Sequence, residues 1–151
     1  MRSLTQPRHP IYARGGNNVS FAATLVSKRQ AIAATRMVPI VRVPWNDTVT
    51  IKRVLDAGAT TLLVPFVQDA DEARRAVAAT RYPPEGVRGM AGMTRASRYG
   101  TVRDYAANAG KDIGVIVQLE SAAALARLEA IAAVPGVDAL FIGPADLSAS
   151  L

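Results

Sequence analysis

Gly114-Val115-Ile116-Val117-Gln118-Leu119, a run from Ser121 to Ala133, and then Ala139-Leu140-Phe141-Ile142 form the stretch that decides the fold. The two flanking runs are short, almost continuously apolar and rich in β-branched residues, as strands buried on both faces are. Between them Leu125, Leu128 and Ile131 fall on one face of a helix expected over residues 121–133, and Pro135-Gly136 then turns the chain. A strand, a crossover helix and a second strand pair in parallel.

The same cycle recurs upstream. Val38-Pro39-Ile40-Val41-Arg42-Val43 reads as a buried strand and Asn46-Asp47 as a helix cap. Val49, Val54 and Leu55 take the near-helical spacing of a core face before Gly58 stops the helix. Thr61–Val67 is the next strand. Asp69-Ala70-Asp71-Glu72 opens a helix with acids in its first turn, where the helix dipole favours them, and Tyr82-Pro83-Pro84 ends it after about Thr80. The expected class is α/β, with four parallel strands covered by helices.

The length of 151 residues fits one domain and permits a real core, but it is below the roughly 200 residues of the smallest complete eight-stranded α/β barrel. The absence of cysteine excludes disulfides, thiolate zinc sites and a catalytic thiol. Residues 1–10 carry no apolar run after their arginines, and no window approaches 18 uninterrupted apolar residues, so the expected location is cytoplasmic and away from membranes. The net charge of +6 would suit nucleic acid if it formed a face. It does not: residues 1–46 hold seven basic residues and no acid, whereas the remainder holds eleven basic and twelve acidic ones. Without a dense Lys/Arg run or interleaved aromatics, no nucleic-acid partner is expected. Residues 1–30 are read as an atypical basic segment and residues 31–151 as the α/β domain.

Between the second helix and the third strand lies Glu85–Asp112, containing Gly86, Gly89, Gly92 and Gly100 with Arg88, Arg95 and Arg98. A connection this long is often functional. Its arginines admit an anion site; a solvated loop with a short helix near Val102–Ala109 fits equally.

Ligands of parallel α/β sheets sit at the C-terminal ends of the strands. The first strand ends with Arg42, the third with Gln118 and Glu120, and the fourth with Gly143-Pro144-Ala145-Asp146, so a guanidinium, an amide and two carboxylates share one rim. Two carboxylates there suit a hard divalent cation, and an arginine beside them suits a carboxylate or enolate oxygen. Glu120 and Asp146 are equally readable as helix N-caps or first-turn acids.

The strings Val-Pro-Ile-Val-Arg-Val-Pro-Trp-Asn-Asp (38–47), Ala-Gly-Ala-Thr-Thr-Leu-Leu-Val-Pro-Phe-Val (57–67), Ala-Thr-Arg-Tyr-Pro-Pro-Glu-Gly-Val-Arg-Gly (79–89), Val-Gln-Leu-Glu (117–120) and Phe-Ile-Gly-Pro-Ala-Asp-Leu-Ser (141–148) resemble the HpcH/HpaI aldolase/citrate lyase family, the class II metal-dependent 2-keto-acid aldolases. The likeness covers roughly residues 30–151. It implies a partial (β/α)8 TIM barrel, about the middle half, and an oligomeric lyase that cleaves a 4-hydroxy-2-oxo acid into pyruvate and an aldehyde. Glu120 and Asp146 match the family's metal ligands for Mg²⁺, Mn²⁺ or Co²⁺, and Arg42 matches the arginine that holds pyruvate and stabilises its enolate. Gln118 lies in the same motif, and the Gly143, Pro144 and Ala145 backbone faces the pyruvate carboxylate on this likeness. No Schiff-base lysine is required. A related citrate-lyase-β or malyl-CoA-lyase type uses a similar acidic pair; the Pro-Trp-Asn-Asp and Tyr-Pro-Pro-Glu-Gly-Val-Arg-Gly strings favour the aldolase branch.

The family also uses a base histidine. The corresponding stretch here reads Ala13-Arg14-Gly15-Gly16-Asn17-Asn18, with Arg14 at that position, and the one histidine of the chain is His9. Arginine stays protonated near neutral pH and is no base. Together with an end at Leu151, directly after the Asp146 motif, this suggests a fragmentary member, or a non-catalytic product retaining metal or pyruvate affinity.

Overall fold

A computed structural model describes residues 25–28, 30–32 and 35–151. Arg14, His9 and nearly all of the basic N-terminal segment lie outside the described residues.

Four strands form one parallel sheet in the order β1 (Val41–Arg42), β2 (Thr61–Val64), β3 (Gly114–Leu119) and β4 (Ala139–Ile142). The helices between them are α1 (Thr48–Asp56), α2 (Ala70–Thr80), the short α3 (Tyr105–Asn108), α4 (Ala122–Leu125) and α5 (Leu128–Ala132), and α6 (Pro144–Ser150) follows β4. Neighbours in sequence are neighbours in the sheet, as in consecutive units of an α/β barrel.

The caps explain where helices begin. Asp47 accepts the Thr50 amide at 2.7 Å and Asp69 the Glu72 amide at 2.8 Å, each satisfying a donor that has no partner within its own helix. The expected acids, Asp71 and Glu72, occupy the first turn of α2. Ser121 caps α4 in the same way, accepting the Ala124 amide at 3.1 Å.

Several sequence expectations are corrected. Val49 is 61 % exposed, and Ile51 takes its place beside Val54 and Leu55 in the core. A cap at Asp47 places Val49 in the first turn, one hundred degrees per residue from the buried stripe that Ile51 begins. The first strand is two residues long rather than six, bounded by prolines at 39 and 44 that donate no ladder hydrogen bond. The second ends at Val64 because Pro65 follows. The helix expected over 121–133 is two pieces, separated at Ala126 and Arg127, and Leu125 is exposed. Arg88 is fully buried instead of belonging to a solvated basic loop.

Register sets the two faces of the sheet. Val41 lies beside Leu62, Leu62 beside Val115, and Val64 beside Val117. All five are buried in one core with Ile51, Val54 and Leu55 of α1 and Ala73 and Ala76 of α2. Side chains alternate along a strand, so Arg42, Leu63, Ile116 and Gln118 share the opposite face. The pleat thus takes the polar end residues away from the helix-covered core.

The long connection is pinned from beneath. Arg88 donates from Nη2 to Asp56 Oδ1 at 2.8 Å, and its guanidinium lies 4.5 Å from the Tyr82 ring centre. Lys52 joins Asp56 from the preceding turn of α1 at 2.5 Å. The expected helix near 102–109 is α3 followed by a 3-10 turn, Ala109–Lys111. No helix among the described residues is long and apolar enough to cross a membrane.

Candidate active site

Backbone hydrogen bonds continue past the strand ends and hold the rim in register. Val43 donates to Leu63 O at 3.0 Å, Val67 to Gln118 O at 3.2 Å, and Gly143 to Leu119 O at 2.9 Å. Four successive strand ends are thereby stitched together, and the polar side chains they carry meet.

Arg42 Nε donates to Gln118 Oε1 at 2.9 Å, and Gln118 Nε2 donates to Glu120 Oε1 at 2.8 Å. Arg42 Nη2 also lies 3.6 Å from the same Glu120 oxygen. Gln118 spends both ends of its amide, accepting from a cation and donating to an anion, so the three side chains form one chain of charge-assisted bonds. The other Glu120 oxygen accepts the Phe66 amide at 2.9 Å. Phe66 takes φ of 58°, a region bulky residues seldom occupy, and this turn aims its N–H at the carboxylate.

Glu120 is only 3 % exposed. Burial raises its pKa above the ordinary carboxylate value; the Phe66 amide and the Arg42 guanidinium oppose that rise, and the nearby Asp146 carboxyl adds to it. Asp146, exposed in the first turn of α6, is thus an electrostatic neighbour of Glu120. Two carboxylates this close repel each other when both are ionised. A shared proton or a cation relieves the repulsion.

Gly143 is the third wall. A Cβ there would sit 2.6 Å from Glu120 Cγ, 2.7 Å from Gln118 Nε2 and 2.9 Å from Glu120 Oε1. Its backbone, φ −94° and ψ 92°, is open to any residue, so the close approach of the site is what calls for glycine. Pro144 and Ala145, in the first turn of α6, are exposed.

All seven residues expected at the rim lie on β1, on β3 and its end, or on the turn into α6. Arg42, Gln118, Glu120 and Gly143 are in direct juxtaposition, with Asp146 against Glu120. Ser121 rather than Glu120 caps α4, so the cap reading holds for neither carboxylate; Asp146 is a first-turn acid. The donor set fits an oxygen-loving divalent cation. A carboxylate offers about four acceptor positions, of which Gln118, Arg42 and Phe66 do not exhaust those of Glu120, and Asp146 adds its own. Among the described residues no group of three or more Asp, Glu, His or Cys is gathered that could hold a metal. A two-carboxylate site leaves most coordination positions to water or substrate, the habit of Mg²⁺ and Mn²⁺.

Sequence reasoning missed Phe66 and Trp45. A main-chain donor leaves no mark in a sequence, so the Phe66 amide was unreadable; an aromatic directly after Pro65 at a strand end was the available signal. Trp45, within the quoted Pro-Trp-Asn-Asp string, stacks on Phe66 with ring centres 5.6 Å apart.

The chain is 57 % identical over 121 residues to a hydroxypyruvate/pyruvate aldolase of Sagittula stellata, covering 80 % of this chain and 48 % of that protein. It is 58 % identical over 119 residues to a 2-dehydro-3,6-dideoxy-6-sulfogluconate aldolase of Pseudomonas putida, covering 79 % and 47 %. The chain thus spans about half the length of the curated relatives it matches. The crystal structure of an HpcH/HpaI aldolase/citrate lyase family protein from Burkholderia cenocepacia superposes with a TM-score of 0.82 at 48 % identity, over 85 % of this chain and 52 % of that one. The sheet described above is accordingly part of an α/β barrel. The family model for HpcH/HpaI aldolase/citrate lyase matches residues 16–151, and the chain belongs to that family.

Proposed function

We propose that this chain carries the pyruvate site of a divalent-metal-dependent aldolase, a carbon–carbon lyase that cleaves a 4-hydroxy-2-oxo acid reversibly into pyruvate and an aldehyde. The observation that carries this is Glu120, a buried carboxylate gripped by Gln118 and the Phe66 amide, with Asp146 beside it and a glycine where any side chain would intrude.

Glu120 and Asp146 are the metal ligands, for Mg²⁺, Mn²⁺ or Co²⁺, all of which accept oxygen donors. When bound, the cation supplies Lewis-acid polarisation of the 2-oxo group. Arg42 is the catalytic residue: its guanidinium, oriented by Gln118, offers further N–H donors to the oxygens of the pyruvyl unit and favours negative charge there as the carbon–carbon bond breaks. Gln118 keeps Arg42 and Glu120 in fixed relation, and the Phe66 amide sets the orientation of the Glu120 carboxylate. Gly143, Pro144 and Ala145 present backbone to the pyruvate carboxylate. Residues 31–151 form the catalytic domain behind a basic segment, residues 1–30, in a cytoplasmic homo-oligomer.

A second reading, metal and pyruvate binding without turnover, is favoured by Arg14 standing where the family's base histidine is expected; the described residues contain no histidine. Calorimetry with Mn²⁺, with and without pyruvate, followed by a coupled pyruvate-release assay separates the two. Pyruvate-enhanced Mn²⁺ binding that Glu120→Ala or Asp146→Ala abolishes is expected. Turnover selects the aldolase and its absence the binding-only form, whereas Mn²⁺ affinity unchanged in both variants refutes the metal assignment.

A further inference from the structure

The stacked rings of Trp45 and Phe66 have no role in the pyruvate site proposed above. Trp45 lies on the connection from β1 to α1 and Phe66 on that from β2 to α2, so adjacent strands bring one ring each to the rim that carries Arg42 and Glu120. The ring planes are 23° apart, an offset-stacked pair. Both keep open surface: Trp45 is 58 % and Phe66 39 % exposed. Exposed aromatic surface beside a polar centre is the usual lining of a small-molecule site.

The pair is also held in place. The Phe66 amide is committed to Glu120, and its left-handed backbone ties the ring to the candidate metal ligand. On the other side Trp45 O accepts the Asp47 amide at 2.9 Å, and Asn46 Nδ2 donates to Glu72 O at 3.0 Å. Glu72 Oε2 in turn accepts the Gln68 amide at 2.8 Å, closing a link between the two connections. A shelf fixed on both sides binds without first being ordered.

We propose that Trp45 and Phe66 form an aromatic shelf that selects the aldehyde partner, favouring an aldehyde that carries a planar apolar group, an aromatic aldehyde. This rests on the aldolase function above and adds to it the class of the second substrate. The polar groups of the site meet the pyruvyl end; the shelf offers the far end a flat, uncharged face on which a third ring continues the stack.

Trp45 is the single tryptophan of the chain, so its indole N–H gives one resolved signal in a proton–nitrogen correlation spectrum of the full labelled chain. Titration with benzaldehyde is expected to move that signal saturably, and glycolaldehyde to leave it in place. Phe66→Leu is expected to weaken the benzaldehyde affinity about fivefold, the scale of one lost stacking contact, while Phe66→Tyr, which keeps a ring, retains it. A shift that grows linearly without saturating, one of equal size with both aldehydes, or one that Phe66→Leu leaves unchanged overturns the shelf. Mn²⁺ in a parallel titration reports on the underlying site: paramagnetic broadening of the indole signal that Glu120→Gln removes supports it. Saturable benzaldehyde binding without broadening upholds the shelf and rejects the metal site, and broadening with a linear benzaldehyde shift rejects the shelf alone.

Discussion

Gly143→Ala isolates the steric demand of the site. The new methyl carbon would stand 2.6 Å from Glu120 Cγ, 2.7 Å from Gln118 Nε2 and 2.9 Å from Glu120 Oε1, where ordinary contact begins at 3.4 Å. Alanine is at ease at φ −94° and ψ 92°, and the Gly143 amide and carbonyl keep their bonds to Leu119 and Leu147. The whole conflict therefore falls on two side chains that have little freedom to recede. Glu120 is held by the Phe66 amide, and Gln118 by Arg42. Crowding a packed site costs about 1–3 kcal/mol, and releasing one hydrogen bond to a charged group costs about 1.5–3 kcal/mol. If about 2 kcal/mol of this appears as a displaced Glu120 carboxylate, Mn²⁺ affinity falls about 30-fold; the rest lowers the melting temperature. Calorimetric Mn²⁺ titration in the presence of pyruvate, with thermal unfolding of the same samples, measures both parts. A variant that binds Mn²⁺ within about threefold of the parent, about 0.7 kcal/mol of affinity, and melts at the same temperature would refute the steric account.

Other consequences are open to the same kind of measurement. Arg88→Met keeps the buried volume and leaves Asp56 paired with Lys52, so urea unfolding is expected to show a loss of about 1–2 kcal/mol, against about 3–5 kcal/mol for the cavity-forming Arg88→Ala; equal losses would mean that the charge, not the packing, is what matters. Asp47→Ala removes the cap of α1 and is expected to cost about 1 kcal/mol at pH 7. Hydrogen bonds from the Thr50 side chain and amide hold the Asp47 carboxyl below its ordinary 3.8. The folded state thus binds this proton less readily than the unfolded one, so the stabilisation is present above the unfolded value and is lost as pH falls through the folded value. Unfolding curves of the parent and Asp47→Ala should draw together as the pH falls below the ordinary carboxylate range, and a gap that does not narrow there at all would remove the carboxylate from the account.

Legibility in the sequence followed the range over which each signal acts. β3 and β4 are bounded as read, because an apolar β-branched run between turn residues needs only local information. Asp69 and the acids of α2 were readable for the same reason. The convergence of Arg42, Gln118 and Glu120 followed from parallel pairing alone, since parallel strands send their ends to one rim. The phase of α1 was not legible: Val49 and Ile51 are equally apolar, and only the cap geometry decides which faces inward. Nor was the division between α4 and α5, where an alanine-rich run carries no breaking residue. Arg88 defeated the sequence for a longer-range reason. A guanidinium is expected in water until Tyr82, Tyr105 and Asp56 enclose it, and those come from three separate segments.

The bond between Phe66 and Glu120 joins residues 54 positions apart, and the bond between Arg42 and Gln118 joins residues 76 apart. A ribosome releases the chain from its N-terminus at about 5–20 residues per second. β1 and β2 thus emerge with their halves of the rim several seconds before β3 exists to receive them, and in that interval the far edge of β2 has no strand beside it. β4 waits far less, since only one short helical crossover separates it from β3. The nascent protein is most exposed to unwanted pairing while the Arg88 segment is being made, and its chemistry-bearing residues are all present only when Asp146 has cleared the exit tunnel.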